Sequence, residues 1–279
     1  MKKVFLGIGH GGSDPGAVGL NGFKEKDLNL AIGLACRDEL ERHGVQVKMS
    51  RTKDENDTLT EEIKECNAYD PDVAVDIHNN AGGGDGAEAF YQIANGQSRN
   101  LANDILGEIK VIGQNLRVPA LKTKLISTGA NKGKDWFGFL RQCSTTAVLV
   151  ECAFVDSADI YVLDTAAEQK VMGIAIAKGI LKHLGLAYKD EAVKPSKPKG
   201  FFPAHGYFKR GDVHENVGKI ATFMRRVFPA YTSDQALGDY YGPFLISAIT
   251  EFQRRTGLEP DGCTGPLTLA MLERYGFKR

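Results

Sequence analysis

The chain has 279 residues, 35 basic against 35 acidic side chains, and 42% hydrophobic residues. That length can hold one large domain or two smaller ones. The balanced charge gives no global attraction to nucleic acid or to an anionic membrane surface, and no apolar run nears the roughly 20 residues of a membrane span.

Met1-Lys2-Lys3-Val4-Phe5-Leu6-Gly7-Ile8 begins like a signal peptide, but the apolar stretch is too short and runs straight into His10. It reads as a first strand, 3–8, so synthesis without an export signal is expected. A Gly-rich loop follows, then a helix over 25–43 whose Leu28, Ile32, Ala35, Cys36 and Leu40 share one face, with Gly44 at a C-cap position. A strand at 45–50, a helix at 60–69 ended by Pro71, and a strand at 73–77 come next. After Gly82-Gly83-Gly84 the pattern predicts a strand at 87–93, a helix at 97–111, a last strand at 146–150 and a closing helix at 166–184. Strands alternating with helices argue an α/β fold: a mostly parallel, twisted sheet with helices on both faces.

Residues 189–199, KDEAVKPSKPK, hold two prolines, no aromatic residue and mostly charge, so they read as a semi-extended linker. The expected division is a catalytic domain at 1–188, a linker at 189–200 and a small all-α domain at 201–279. In that tail, Gly242-Pro243 and Gly265-Pro266 each open a helix, where the missing proline N–H costs nothing. A short repeated helical unit without a catalytic constellation suggests a binding module.

Three buried-type strands end on residues suited to metal chemistry. The first runs into Gly9-His10-Gly11-Gly12, the next into His78-Asn79-Asn80 and the last into Glu151. Ligands in open α/β sheets bind at the carboxyl ends of strands, and two imidazoles with a carboxylate at one sheet edge can build a hydrolytic zinc site. Each residue has a plainer alternative. His10 could be a surface residue, and His78 a hydrogen-bonded structural histidine. Glu151 could pair with Arg141. A carboxylate directly after five uncharged strand residues is costly unless paired or used, and its functional role would be general base, then general acid. Glu25 suits the first turn of a helix through the dipole alone, although it can fold back over the edge that carries His10. Asn79 or Asn80 could hold a substrate amide. Trp136, the single tryptophan, could line a groove or pack in a loop. Cys152 beside Glu151 is better explained as a small buried residue than as a nucleophile. The five cysteines, widely spaced and without a CxxC pair, argue against a disulfide framework.

GHGGSDPGAVG, then Glu25 before Lys26-Asp27-Leu28, then Ile77-His78-Asn79-Asn80, then Leu149-Val150-Glu151-Cys152 resemble the zinc-dependent N-acetylmuramoyl-L-alanine amidases, in particular the amidase-3 group of bacterial autolysins and phage endolysins. The resemblance covers about 2–186. It implies Zn²⁺ held by His10, Glu25 and His78, with Glu151 as the catalytic residue and Asn80 and Trp136 as substrate-contact candidates. Asp76, Thr146 and Ala153 depart from the usual Ser, Pro and Gly. The tail, through Arg210-Gly211-Asp212, Phe252-Gln253-Arg254-Arg255-Thr256-Gly257, Asp261-Gly262 and Gly265-Pro266, resembles three-helix peptidoglycan-binding modules. The implied reaction is hydrolysis of the amide between N-acetylmuramic acid and L-alanine. Peptidoglycan is the implied partner, with no nucleic acid and no membrane anchor, and the enzyme would act on the wall after release from a host cytoplasm. A zinc peptidase cutting the stem peptide or cross-bridge, or a non-catalytic wall-binding protein, are the alternatives.

Overall fold

Side chains alternate between the two faces of a strand, and in this chain both faces are covered. Val4, Leu6 and Ile8 of β1 (Lys3–Ile8) join Val73, Val75 and Ile77 of β3 (Val73–Asn80) and Val148, Val150 and Cys152 of β6 (Thr146–Phe154) in one core. The helices α1 (Glu25–Arg42), α3 (Gly96–Val111) and α5 (Ala166–His183) close that core. Phe5, Ala74, Ala147 and Leu149 point the other way and pack under α2 (Leu59–Tyr69) and α4 (Gly138–Gln142). The computed structural model describes residues 1–19, 22–164, 166–189 and 200–279.

The six strands lie in the order β2-β1-β3-β6-β4-β5, with β2 at Gln46–Met49, β4 at Ala87–Tyr91 and β5 at Leu116–Lys122. β2, β1, β3 and β6 are parallel; β4 runs antiparallel to β6, and β5 runs parallel to β4. The sheet is thus mostly parallel between two helical layers, as the α/β pattern predicts. Four details differ from the sequence reading. β3 runs on to Asn80 instead of ending at Ile77, so His78 lies within it. The last strand continues to Phe154, because Cys152, Ala153 and Phe154 are as buried as the residues before Glu151. Glu151 therefore lies within the strand. β5 is an edge strand with a cis Val118–Pro119 peptide and a fully exposed Val118, so it lacks both the apolar alternation and the proline-free run that signal a strand. The helix α4 has only five residues, too few to show a period.

The chain divides into two compact units, Met1–Tyr188 and Lys189–Arg279. The segment read as a linker lies outside the described residues except at its ends. In the second unit, α6 (Glu215–Val227), α7 (Pro243–Thr256) and α8 (Pro266–Arg274) surround Phe208, Tyr241, Phe252 and Leu269, all fully buried. Pro243 and Pro266 sit in the first turns of α7 and α8. Gln253 ties the 261–264 loop down: its amide donates to Asp261 Oδ1 at 2.7 Å and to Cys263 O at 2.9 Å, and its Oε1 accepts from Gly262 N at 2.8 Å.

The packing of α5 on α1 rests on Gly173, where an added Cβ would lie 2.4 Å from Ile32 O and 2.9 Å from Cys36 N. Gly173→Ala should lower stability in urea denaturation by roughly 1–3 kcal/mol. Gly107→Ala on the exposed face of α3, where a Cβ meets nothing within 4 Å, should raise it by about 0.5–1 kcal/mol through helix propensity.

Candidate metal centre

Chain parity places the site. Asp76 and His78 on β3, and Glu151 on β6, share the sheet face that carries Ala74, Ala147 and Leu149. His78 and Glu151 are register partners. Cys152 faces the opposite core among α1 and α5, where burial raises its thiol pKa well above the ordinary value. That is the environment of a packed residue and not of a nucleophile.

His10 leaves the end of β1 with φ of 63°, a left-handed conformation uncommon for a residue with a side chain. Its Nε2 lies 3.2 Å from Glu25 Oε2 and its Nδ1 2.8 Å from Asp14 Oδ2. His78 Nδ1 lies 3.0 Å from Glu25 Oε1, and its Nε2 3.3 Å from Asp76 Oδ2. Gly9 makes this approach possible, since a Cβ there would fall 2.2 Å from the His78 ring. Glu25 is 4% exposed and also accepts from the backbone N–H of Ala17 at 2.9 Å and of Asn79 at 3.1 Å.

The charges follow from these contacts. Burial pushes the Glu25 carboxyl up, but both imidazoles and the Ala17 amide outweigh it and hold the group far below the usual carboxylate range. The bond to Glu25, then Asp14, raises His10 against burial. Burial opposes charge on His78, yet Asp76 and Glu25 raise it well above its ordinary value. One donor atom from each of His10, Glu25 and His78 lies within 4.8 Å of the others. Asp14 is hydrogen-bonded to the outward nitrogen of His10 and Asp76 Oδ2 lies beside that of His78, which leaves His10 Nε2 and His78 Nδ1 facing the common point. This donor set, with carboxylates behind the imidazoles, fits a catalytic transition-metal site.

Glu151 stands beside it without a salt bridge to Arg141, whose guanidinium donates to the carbonyls of Asp135 and Trp136. Glu151 Oε2 is buried and unpartnered. Burial raises the carboxyl to about 7, with neighbouring Glu25 and Glu88 adding to the effect and His78 opposing it. A cleft of about 260 Å³ opens over His10, His78 and Glu151, walled by Asp57, Leu59, Phe137 and Phe139. Trp136 lies next to this wall but is 51% exposed, with Lys124 Nζ 4.8 Å from its ring centre. Asn80 gives its amide to Glu88 Oε1 at 2.9 Å and accepts from Ala81 N. Asp14, Asp76 and Phe137 did not emerge as site residues from the sequence alone. For the first two there was a signal: Asp14 is four residues past His10, and Asp76 is two before His78 on the same strand face.

A model of the N-acetylmuramoyl-L-alanine amidase family matches residues 4–182, and one of a putative peptidoglycan binding domain matches 229–272. The chain is 34% identical over 200 residues to the N-acetylmuramoyl-L-alanine amidase CwlM of Bacillus licheniformis, covering 68% of this chain and 74% of that protein. It is 31% identical over 207 residues to the endolysin of Bacillus phage SPP1, covering 71% and 74%. The catalytic domain of the amidase CwlV from Bacillus (Paenibacillus) polymyxa var. colistinus superposes with a TM-score of 0.58 at 27% identity, covering 67% of this chain and all of that domain. The chain therefore belongs to the N-acetylmuramoyl-L-alanine amidase family, and its reaction is cleavage of the bond joining N-acetylmuramic acid to L-alanine in peptidoglycan.

Proposed function

We propose that the amidase works with zinc held by His10, Glu25 and His78, and that Glu151 is its proton-transfer residue. The observation that carries this reading is the convergence of three donor atoms next to a buried, unpartnered carboxylate. Bound zinc supplies a Lewis acid that polarises the scissile carbonyl and acidifies a water. Glu151, with its pKa near neutrality, takes the proton of the attacking water and delivers it to the departing L-alanine nitrogen. Asp14 and Asp76 keep the two imidazoles turned inward throughout. Residues 1–188 carry the chemistry, and 201–279 hold the enzyme on the insoluble wall, which raises local substrate concentration. The phage relative supports a lytic role reached from inside a host cell. No helix among the described residues is long and apolar enough to cross a membrane.

Product analysis tests the assignment directly: digested walls should show new N-terminal L-alanine on intact glycan strands, and new ends within the stem peptide would contradict it. Glu151→Gln should keep stoichiometric zinc but lose roughly 10²–10⁴-fold in kcat, whereas His78→Ala should lose the metal itself, read by elemental analysis. Near-wild-type turnover by the glutamine variant would remove Glu151 from the mechanism.

In chelated, metal-free protein the raised Glu151 pKa means that the folded chain binds this proton more tightly than the unfolded one. Its ionisation, from the ordinary 4.5 up to about 7, therefore costs stability that is intact below that window and lost above it. Glu151→Gln should raise urea stability by roughly 3 kcal/mol near pH 8 and change it little near pH 4. An equal change at both pH values would show that burial does not perturb the carboxyl. A chain ending at Tyr188 should lose about tenfold or more in lysis of intact walls while hydrolysing soluble muramoyl-peptides at the full-length rate, if the tail acts by tethering.

A further inference from the structure

Glu151 has a second carboxylate across the sheet. Glu88 on β4 is its register partner in the antiparallel ladder, on the same face, and is only 3% exposed. A buried carboxylate needs partners. Glu88 has Asn80 Nδ2 at 2.9 Å, Arg117 Nε at 3.2 Å and Lys122 Nζ in direct contact. Both cations come from β5. They outnumber the acid they share, and among the described residues no other carboxylate lies within ion-pair distance of either. Their side chains stay 36% and 24% exposed, so Glu88 anchors them without covering them. Arg117 is braced over the Phe154 ring at 4.9 Å. Lys124, just past β5, has its Nζ 5.6 Å from the ring centre of Phe137, which lines the cleft. The lining of the cleft itself is acidic, with Asp14, Asp57 and Glu62. Arg117 and Lys122 stand outside that lining, beside Glu88, so the basic pair adjoins the cleft on the β4 side of Glu151.

We propose that Arg117 and Lys122, held in place by Glu88, form a subsite for a free carboxylate on the stem-peptide residue that follows L-alanine. This rests on the reading of Glu151 as the group beside the leaving nitrogen. The peptide must start where that nitrogen is protonated. Neighbouring antiparallel strands lie about 5 Å apart and one extended residue spans about 3.5 Å, so on a peptide running from Glu151 toward β4 the side chain of the next residue comes within reach of the cations that Glu88 holds. A planar guanidinium beside an ammonium suits a carboxylate and discriminates against the neutral carboxamide.

The test uses two soluble muramoyl-peptides that differ only in bearing a carboxylate or a carboxamide on the residue after L-alanine. The zinc-loaded full-length enzyme should prefer the carboxylate by about tenfold or more in kcat/KM, mostly through KM. Arg117→Gln with Lys122→Gln should bring the ratio close to one by raising KM for the carboxylate substrate alone. Because that double variant leaves Glu88 short of partners, a salt series on the unmodified enzyme gives a second reading: KM should rise with ionic strength for the carboxylate substrate and stay flat for the carboxamide. Equal kcat/KM for the two substrates, or the wild-type ratio surviving in a folded double variant, overturns the subsite. Failure of the underlying role of Glu151 would show differently, as turnover of both substrates by Glu151→Gln with the ratio intact.

Discussion

The site depends on one buried carboxylate that bonds two imidazoles at once. Glu25 can remain ionised at 4% exposure only because His10, His78 and two backbone amides converge on it. Glu25 opens α1, and its partners come from two other parts of the fold: His10 and Ala17 from the loop after β1, His78 and Asn79 from the end of β3. Moving any one of these elements would leave a charge without compensation in a low-dielectric setting, a far larger penalty than the loss of an ordinary surface contact. The left-handed backbone at His10 is local strain that this network holds in place. A metal bound by the same three residues would take over the compensating role that protons on the imidazoles fill without it.

The sheet supplies the second constraint. Strand side chains alternate, so the residues that follow the apolar core outward divide between two faces. On one face they end in Cys152, buried against α1 and α5. On the other they end in His78 and Glu151, with Glu88 beside them across β4. The same alternation that fills the core also separates a packed thiol from an unpartnered carboxylate one residue away. It aligns two acids of opposite fate as well. Glu88 is neutralised by β5 cations, whereas Glu151 has an oxygen with no partner and a pKa near neutrality. Neighbouring carboxylates differ here by what surrounds them, the usual basis for dividing proton-transfer and structural roles.

Much of this was legible in the chain itself. Strands and helices with strong periods appear at 3–8, 25–43, 73–77 and 97–111 within a few residues of where they form. His10, His78 and Glu151 stand out because each follows an apolar strand-like run, and Glu25, in the first turn of a helix, joins them through the family motif. What stayed hidden has physical causes. β5 carries a proline and exposed side chains, because an edge strand has one ladder partner and little core to satisfy. α4 is shorter than a helical period can reveal. Glu151 read as the residue after a strand because charge normally ends a buried run. The structure keeps it inside β6 by opening a cleft over that position.

The sequence by itself determined the alternation of elements, the apolar faces and the set of chemically capable residues, because these depend on local spacing along the chain. Only the tertiary structure decided which of them act together. From local spacing Glu25 is only a helix-capping acid, and the family motif alone marks it as a ligand; the fold is what brings it against two imidazoles distant in the chain, and it sets Asp76, a departure from the family pattern, against the ring of His78. Arg117 and Lys122 carried no signal at all. Their significance comes from Glu88, whose burial and register beside Glu151 exist only once β4, β5 and β6 have paired. Long-range proximity sets the electrostatic environment of each group, and that environment has no local signature in the chain.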